Sequence, residues 1–443
     1  FNPNDVQTIG GFARSGVNSM MMSSGGYFEF NGISFGGSFS GIQTSSGGGF
    51  NFNTLTKKGI KLNTQYFFGR NDNLLEKLTN TNQTLGNDRL ITNANENTSA
   101  LTLKHNIAGK LDWQIDSLTQ LTIEPFIVLN STNTVSTNYS SNTNASGQLV
   151  NNLQNLIDRN SSSNKYQLVA DLSKDFKKAG RAFNIGFDVS TTPNPILNYN
   201  RSISNFFLTP STSEIDQLRN SQVENFRSYI YTNYSEPISK KLSFKIDLSG
   251  NILNNENALS TFYRNPANQL YDIAIPNLSQ TVEQNGFKTN TNLSLRYKIT
   301  KDFNIQPGVV HNYISLNNRF SNSNNIDQRY NFIWPTFQLV YKIFRLNYDA
   351  RFTEPNVSYL QPVADNTNAL YIRNGNPALL PARMQRLSIN MYKYDPKNLI
   401  NYNLYGYGNF TKNGIVNTIS ISNGVQTVTP VNVSGIYNFN GGA

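Results

Sequence analysis

Two histidines, His105 and His311, are the only imidazoles in a chain of 443 residues that has no cysteine. Imidazole suits proton transfer near neutral pH, but catalysis needs a nucleophile within hydrogen-bond reach. His105 shares the parity of Leu101, Leu103 and Ile107 near the end of an alternating run, and His311 follows Val309 and Val310. No Ser or Asp is placed beside either one. Both read as structural residues, His105 as one at a membrane interface. The missing thiols exclude disulfides, thiolate metal sites and Cys nucleophiles. No nucleophile elbow or His/acid metal cluster occurs. Gly47–Gly49 is a poor phosphate cradle because no helix follows to supply an N-terminal dipole, so it reads as the start of a strand. Asp72, Glu76, Asp88 and Glu96 could hold a cation weakly and read as a solvated loop. Tyr263, Tyr271, Tyr359 and Tyr371 could stack on sugars or on a chelate, or be ordinary loop tyrosines. The sequence therefore assigns no catalytic, cofactor or metal residue, names no ligand contact, and points away from an enzyme.

The elements are strands. In Asn331–Phe352 one parity set is Ile333, Pro335, Phe337, Leu339, Tyr341 and Ile343, and the other turns polar toward Lys342. Alternate side chains of a strand point to opposite faces, so the stretch reads as a β-hairpin with one greasy face. The pattern repeats. Ile60, Leu62, Tyr66 and Phe68 alternate with Lys61, Asn63, Gln65 and Phe67, and Phe183, Ile185, Phe187 and Val189 with Asn184, Gly186 and Asp188. Leu242, Phe244, Ile246 and Leu248 alternate with Ser243, Lys245, Asp247 and Ser249, and Leu293, Leu295, Tyr297 and Ile299 with Ser294, Arg296 and Lys298. Short basic turns fall near Lys57–Lys58, Asp112–Ser117, Asp175–Arg181, Ser239–Lys241, Thr300–Asp302, Lys342–Arg345 and Asp395–Asn398. Long polar loops are expected at about 71–97, 136–162, 193–224, 254–285, 317–328 and 353–381. The two kinds of connection alternate strictly, as in an up-and-down outer-membrane barrel.

Aromatic and Asn/Ser/Thr-rich composition argues against a helical protein. No run of about 18 apolar residues provides a transmembrane helix, but barrels cross with strands. A soluble sandwich would also alternate. The charges of both signs on the polar parity suit a wet lumen instead. Aromatics near strand ends (Trp113, Phe126, Tyr297, Phe303, Tyr341, Phe344) suit interfacial girdles. The net charge of +10 is spread over turns and loops, without a nucleic-acid patch. The fold class expected is all-β: an antiparallel, transmembrane β-barrel of 14 to 17 strands in this chain, in contact with outer-membrane lipid. Residues 1–31 read as an irregular Gly/Ser/Asn-rich lead-in and 32–443 as the barrel. Asn438–Ala443, without a closing aromatic strand, suggests a barrel incomplete at its C-terminus.

Four motifs add a resemblance. Asp116-Ser117-Leu118-Thr119 follows Trp113. Asp175-Phe176-Lys177-Lys178-Ala179-Gly180-Arg181 sits in a turn. Tyr234-Ser235-Glu236-Pro237-Ile238 ends a strand. Gly375-Asn376-Pro377-Ala378-Leu379-Leu380-Pro381 ends a long loop. In this order they resemble the barrel region of Gram-negative outer-membrane proteins related to TonB-dependent receptors, over roughly 32–435. An acidic residue usual after the second Pro is replaced here by Ala382-Arg383. Pro377 and Pro381 fix φ, and Gly375 is expected at positive φ, so the motif reads as a stiff turn into Met384–Tyr394.

The resemblance implies a 22-strand barrel, a plug domain upstream of residue 1 and absent from this chain, a TonB-type energising complex as partner, and uptake of a bulky solute across the outer membrane. A structural or adhesive barrel and an open porin are the alternatives. The basic turns are expected to face the periplasm and the long loops the cell exterior.

Overall fold

Antiparallel pairing of alternating strands accounts for most of the chain. The computed structural model describes residues 20–22, 28–30, 33–35, 41–57, 59–85, 88–322, 324–360, 363–395 and 400–442. Most of the expected lead-in at 1–31, and nearly all of the expected turn at 395–398, lie outside the described residues. Three short strands, β1 (Met20–Met22), β2 (Phe28–Phe30) and β3 (Ile33–Phe35), pair as a small sheet of their own. The barrel wall then begins with β4 (Ile42–Leu55), β5 (Ile60–Leu85), β6 (Asp88–Asp116), β7 (Thr119–Asn144), β8 (Leu149–Ser162) and β9 (Lys165–Asp175). It continues with β10 (Ala182–Thr191), β11 (Asn194–Phe206), β12 (Ser211–Pro237) and β13 (Leu242–Arg264). After the spur β14 (Tyr271–Ala274) come β15 (Gln280–Lys298), β16 (Phe303–Phe320), β17 (Ile326–Tyr341) and β18 (Phe344–Thr353). A one-turn helix, α1 (Val357–Leu360), and the strands β19 (Asp365–Asn368) and β20 (Tyr371–Arg373) lead to β21 (Ala382–Asp395) and β22 (Ile400–Lys412). The hairpin β23 (Gly414–Ser422) and β24 (Val425–Val433) precedes β25 (Ile436–Gly442).

Eighteen of these segments form the barrel. Segments β8 and β9 are two halves of one wall strand, as are β10 and β11, because β7 pairs with both of the first two and β12 with both of the second. With β14 as a spur, fifteen wall strands result among the described residues, inside the expected range. The tail expected to lack an aromatic strand instead forms β25, paired with β22 and bearing Tyr437 and Phe439.

Neighbouring rows show how the ladder sorts the faces. Leu242, Tyr297, Ile305, Leu339, Leu346 and Ile389 stand side by side on successive strands. One residue along, on the opposite face, Gln306, Gln338, Asn347 and Ser388 form the matching row. There Gln338 Nε2 donates to Asn347 Oδ1 at 2.9 Å. The first row faces outward with other exposed apolar side chains, and the second lines the lumen. Elsewhere on the lumen wall, Lys110 pairs with Asp112 at 3.5 Å and Glu124 at 3.3 Å, and Gln167 donates to Asp188 at 2.8 Å. Phe126 departs from the expected girdle. It shares the parity of Thr122 and Glu124, faces the lumen, and is buried with Ala108 under the Lys165 ammonium.

The expected long loops at 71–97, 136–162 and 193–224 are largely strand. β6 alone has 29 residues, about 95 Å of extended chain, against an apolar band about 25 Å tall. Its outward apolar set runs from Trp113 to Leu101 and then gives way to Ser99, Asn97 and Asn95. Beyond that point, polar cross-strand pairs continue the ladder. Thr98 donates to Ser136 at 3.0 Å, and Asn80 donates to Asn93 at 2.5 Å. Hydrophobic alternation stops where lipid stops, but β-pairing does not.

Candidate functional site

The wall parts between β17 and β18. They pair only from Phe337 to Tyr341, and β18 then follows β21 alone. Phe332 and Phe352 fill the gap at 4.5 Å between ring centroids, with the Arg383 guanidinium 4.4 Å from the Phe332 ring. From here the described residues of 354–381 turn into the lumen. They join hairpin β23–β24 in a four-stranded inner sheet of order β19-β20-β24-β23.

The hairpin turns on Asn423 and Gly424, at φ 49° and 73°. Two consecutive positive φ values make the type I′ turn, for which Asn-Gly is the strongest short-range signal. That dipeptide was readable in the sequence, and it is the signal by which this inward hairpin could have been found. A Cβ at Gly424 would collide with the Asn151 side chain of the wall. Gly424→Val is therefore expected to lift the hairpin tip from the wall. Faster amide hydrogen exchange through 414–433, with the barrel strands unchanged, is the readout.

Polar side chains of the wall hold the inner sheet by backbone carbonyls and by the Asn366 side chain. Asn151 donates to the Asn423 carbonyl at 2.9 Å, and Asn200 to the Thr367 carbonyl at 2.8 Å. Gln217 and Arg219 both donate to Asn366 Oδ1, at 3.1 and 3.0 Å. Across the lumen, Glu354 pairs with Lys288 of β15, and Leu360 and Leu379 pack with Val282 and Phe320. The inner segment thus ties β8–β12 to β15–β17. The Gly-Asn-Pro motif is part of this tie rather than a simple turn. Gly375 does not take a positive φ. Instead the Asn376 amide nitrogen donates to the Tyr359 carbonyl at 2.6 Å, and its side chain donates to the Pro430 carbonyl at 2.9 Å.

A cavity of about 410 Å³ lies between the inner sheet and the wall. Arg159, Arg219, Arg373, Asp365, Tyr359 and Tyr371 are among its lining residues. Two of the four tyrosines singled out in the sequence thus come together here. Tyr263 lies on β13, and Tyr271 on β14 sits edge-on to Tyr199 at 5.4 Å while donating to Asp216 at 2.8 Å. Burial, reinforced by the Asp216 carboxylate, pushes the Tyr271 hydroxyl up to about 12, so it remains a donor. Burial works to raise the Asp365 carboxyl. Hydrogen bonds from Thr367 and the Arg219 and Arg373 charges outweigh it and hold the group below the usual carboxylate range.

The remaining candidates lie apart from this cavity. His105 Nδ1 meets the Tyr66 hydroxyl at 2.9 Å, and its ring stands 5.0 Å from Phe68, on the outward face. His311 Nε2 lies 2.7 Å from Asn331 Oδ1, also outward. Gly47–Gly49 lies within β4. Asp72 pairs with Arg70 at 2.9 Å, Glu96 accepts from Thr98 at 3.3 Å, and Glu76 and Asp88 are strung along the same long hairpin.

Residues 174–442 match the model of the outer membrane protein beta-barrel family. Among solved structures, the chain is similar to the alcaligin outer membrane receptor FauA from Bordetella pertussis. The identity is 10% and the TM-score 0.37, over 83% of this chain and 61% of that one. It is also similar to BauA, the ferric preacinetobactin receptor from Acinetobacter baumannii, at 9% identity and a TM-score of 0.27, over 90% of this chain and 71% of that one. The chain thus spans about three-fifths of the length of the first. A search of curated proteins finds no match. With more than half of its length matched, and with a wall of antiparallel strands that is apolar outside and polar inside, this chain belongs to the outer membrane protein beta-barrel family and resides in the outer membrane.

Proposed function

We propose that this chain is the barrel of a receptor that takes up a bulky solute across the outer membrane. The observation that carries the reading is the inner sheet. It ties Asn151, Asn200 and Gln217 on one side of the wall to Phe320 and Gln328 on the other, with a polar cavity beneath it. A wide barrel whose mouth is crossed by its own folded segment suits selective capture better than free diffusion. A plug domain encoded upstream and a TonB-type energising complex complete the proposal. No catalytic step belongs to it. The test is planar-bilayer conductance of the full-length protein, paired with solute-uptake assays in cells. A silent channel with energy-dependent uptake supports the receptor. A steady, high conductance would replace it with a porin.

A structural or adhesive barrel is the second reading. It is favoured by the reach of the β5–β6 and β6–β7 hairpins, whose polar ladders extend far past the apolar band. Uptake that stays absent with every solute, together with surface binding lost on trimming those hairpins, would select it.

The same proposal sets the orientation, with short basic turns in the periplasm. Protease added to intact cells is expected to cut at the hairpin tips 145–148 and 207–210 and to spare 176–181. Cleavage at 176–181 first would invert the topology.

A further inference from the structure

The cavity behind the inner sheet holds more positive charge than its own carboxylate balances. Arg159 comes from β8, Arg219 from β12, Arg373 from β20 and Asp365 from β19. Asp365 is engaged by Arg373 at 2.8 Å, and its one negative charge is shared with Arg219, which it does not contact as an ion pair. Arg219 is only 8% exposed, and it donates to the neutral amide oxygen of Asn366. Among the described residues neither Arg159 nor Arg219 makes an ion pair. A guanidinium withdrawn from water keeps its demand for an anionic acceptor, and an amide oxygen meets it only in part. The guanidinium fork matches the paired oxygens of carboxylate and phosphate groups.

The rest of the lining sharpens the chemistry. Tyr359 and Tyr371 present half-exposed rings, and the side-chain amides of Asn198 and Asn417 supply both donors and acceptors. A neutral glycan would be held largely by acceptors for its hydroxyl groups, and the single carboxylate here is already engaged. The volume lies in the range of small-molecule pockets. We infer that this pocket binds a small anionic solute bearing carboxylate or phosphate groups, held between Arg159 and Arg219 of the wall and Arg373 of the inner sheet. The inference rests on the receptor reading and gives it a substrate class. Both walls of the pocket contribute charge, so a bound anion would also fasten the inner sheet to the barrel.

Isothermal titration of the full-length protein in detergent tests this. The probes are citrate for carboxylate, inorganic pyrophosphate for phosphate, and maltotriose as the neutral control. The expected result is saturable binding of at least one anion, weakening as NaCl is raised. Binding is expected to fall at least tenfold in Arg219→Gln and in Arg159→Gln. Arg159 is exposed, so its variant reports on the charge without disturbing buried packing. Preference between citrate and pyrophosphate identifies the group recognised. The inference is overturned if neither anion binds saturably, if both variants bind like the wild type, or if maltotriose binds as tightly as the anions. Its failure is distinct from failure of the receptor reading. Uptake of a neutral solute without anion binding would remove only the pocket assignment. Anion binding without any uptake in cells would support the pocket and remove only the receptor.

Discussion

A single cysteine at position 204 should react at least tenfold faster with a bulky maleimide once residues 414–433 are replaced by a short Gly-Ser linker. The chain has no cysteine of its own, so Ser204→Cys would carry the only label. Ser204 is completely covered and lies on the lumen face of β11, opposite Leu153 of β8. In the adjoining rows Asn151 donates to the Asn423 carbonyl, and Asn155 and Asn200 donate to the Thr367 carbonyl. Both halves of the inner sheet therefore cover this position. Removing the hairpin also removes β24, with which Tyr371–Arg373 of β20 pair in parallel. The sheet then has nothing to join. Each lost hydrogen bond contributes about 0.5–1.5 kcal/mol. Several lost together exceed the roughly 1.4 kcal/mol that a tenfold protection represents. Leu156→Cys, on the opposite face of β8 at 45% exposure, should react equally in both proteins. Equal rates at position 204 would mean that the inner sheet does not cover the wall in solution.

The strand faces were legible because lipid and lumen impose opposite demands on alternate residues. The Leu242-to-Ile389 row could be read strand by strand from parity alone. For Phe126 residue type and parity disagree, an aromatic near a strand end suiting the girdle and its parity the lumen, and the structure follows parity. A ring can serve the lumen when it packs with Ala108 and stands under Lys165. The extended hairpins look like loops in the sequence for a related reason. Once both faces meet water, no hydrophobic period remains, and Thr/Asn/Ser pairing leaves only a compositional trace. The inner sheet was the least legible part. Its ties run from wall amides to backbone carbonyls of Thr367, Asn423 and Leu379. A backbone carbonyl carries no residue identity, so no sequence pattern marks the contact. The arginines of the pocket lie on three separate strands, between positions 159 and 373. Pairing of β8, β11 and β12 sets Arg159, Asn198 and Arg219 in one row, and the inward turn of the inner sheet adds Arg373.

Val309→Arg should destabilise the folded barrel in lipid vesicles by about 2–4 kcal/mol, while Gln306→Arg should change it far less. Val309 stands on the outward face beside Leu293 and Pro335, and through Leu293 beside Ile246. That row lies near the middle of the apolar band, which begins at the aromatic row Phe303, Tyr341 and Phe344. An arginine there must snorkel past several apolar neighbours to reach water. Gln306 lies on the same strand but on the lumen face, where it donates to Ser294 at 2.9 Å. An arginine at that position has water and polar neighbours to meet. Leu339→Arg should fall between the two, at about 1 kcal/mol, because Leu339 is only one outward position from Tyr341 and the cost declines toward the interface. Urea titrations of the three variants folded into vesicles provide the comparison. If Val309→Arg and Gln306→Arg cost the same, the two faces have been assigned wrongly, and the lumen, its charge pairs and the anion pocket must be reassigned with them.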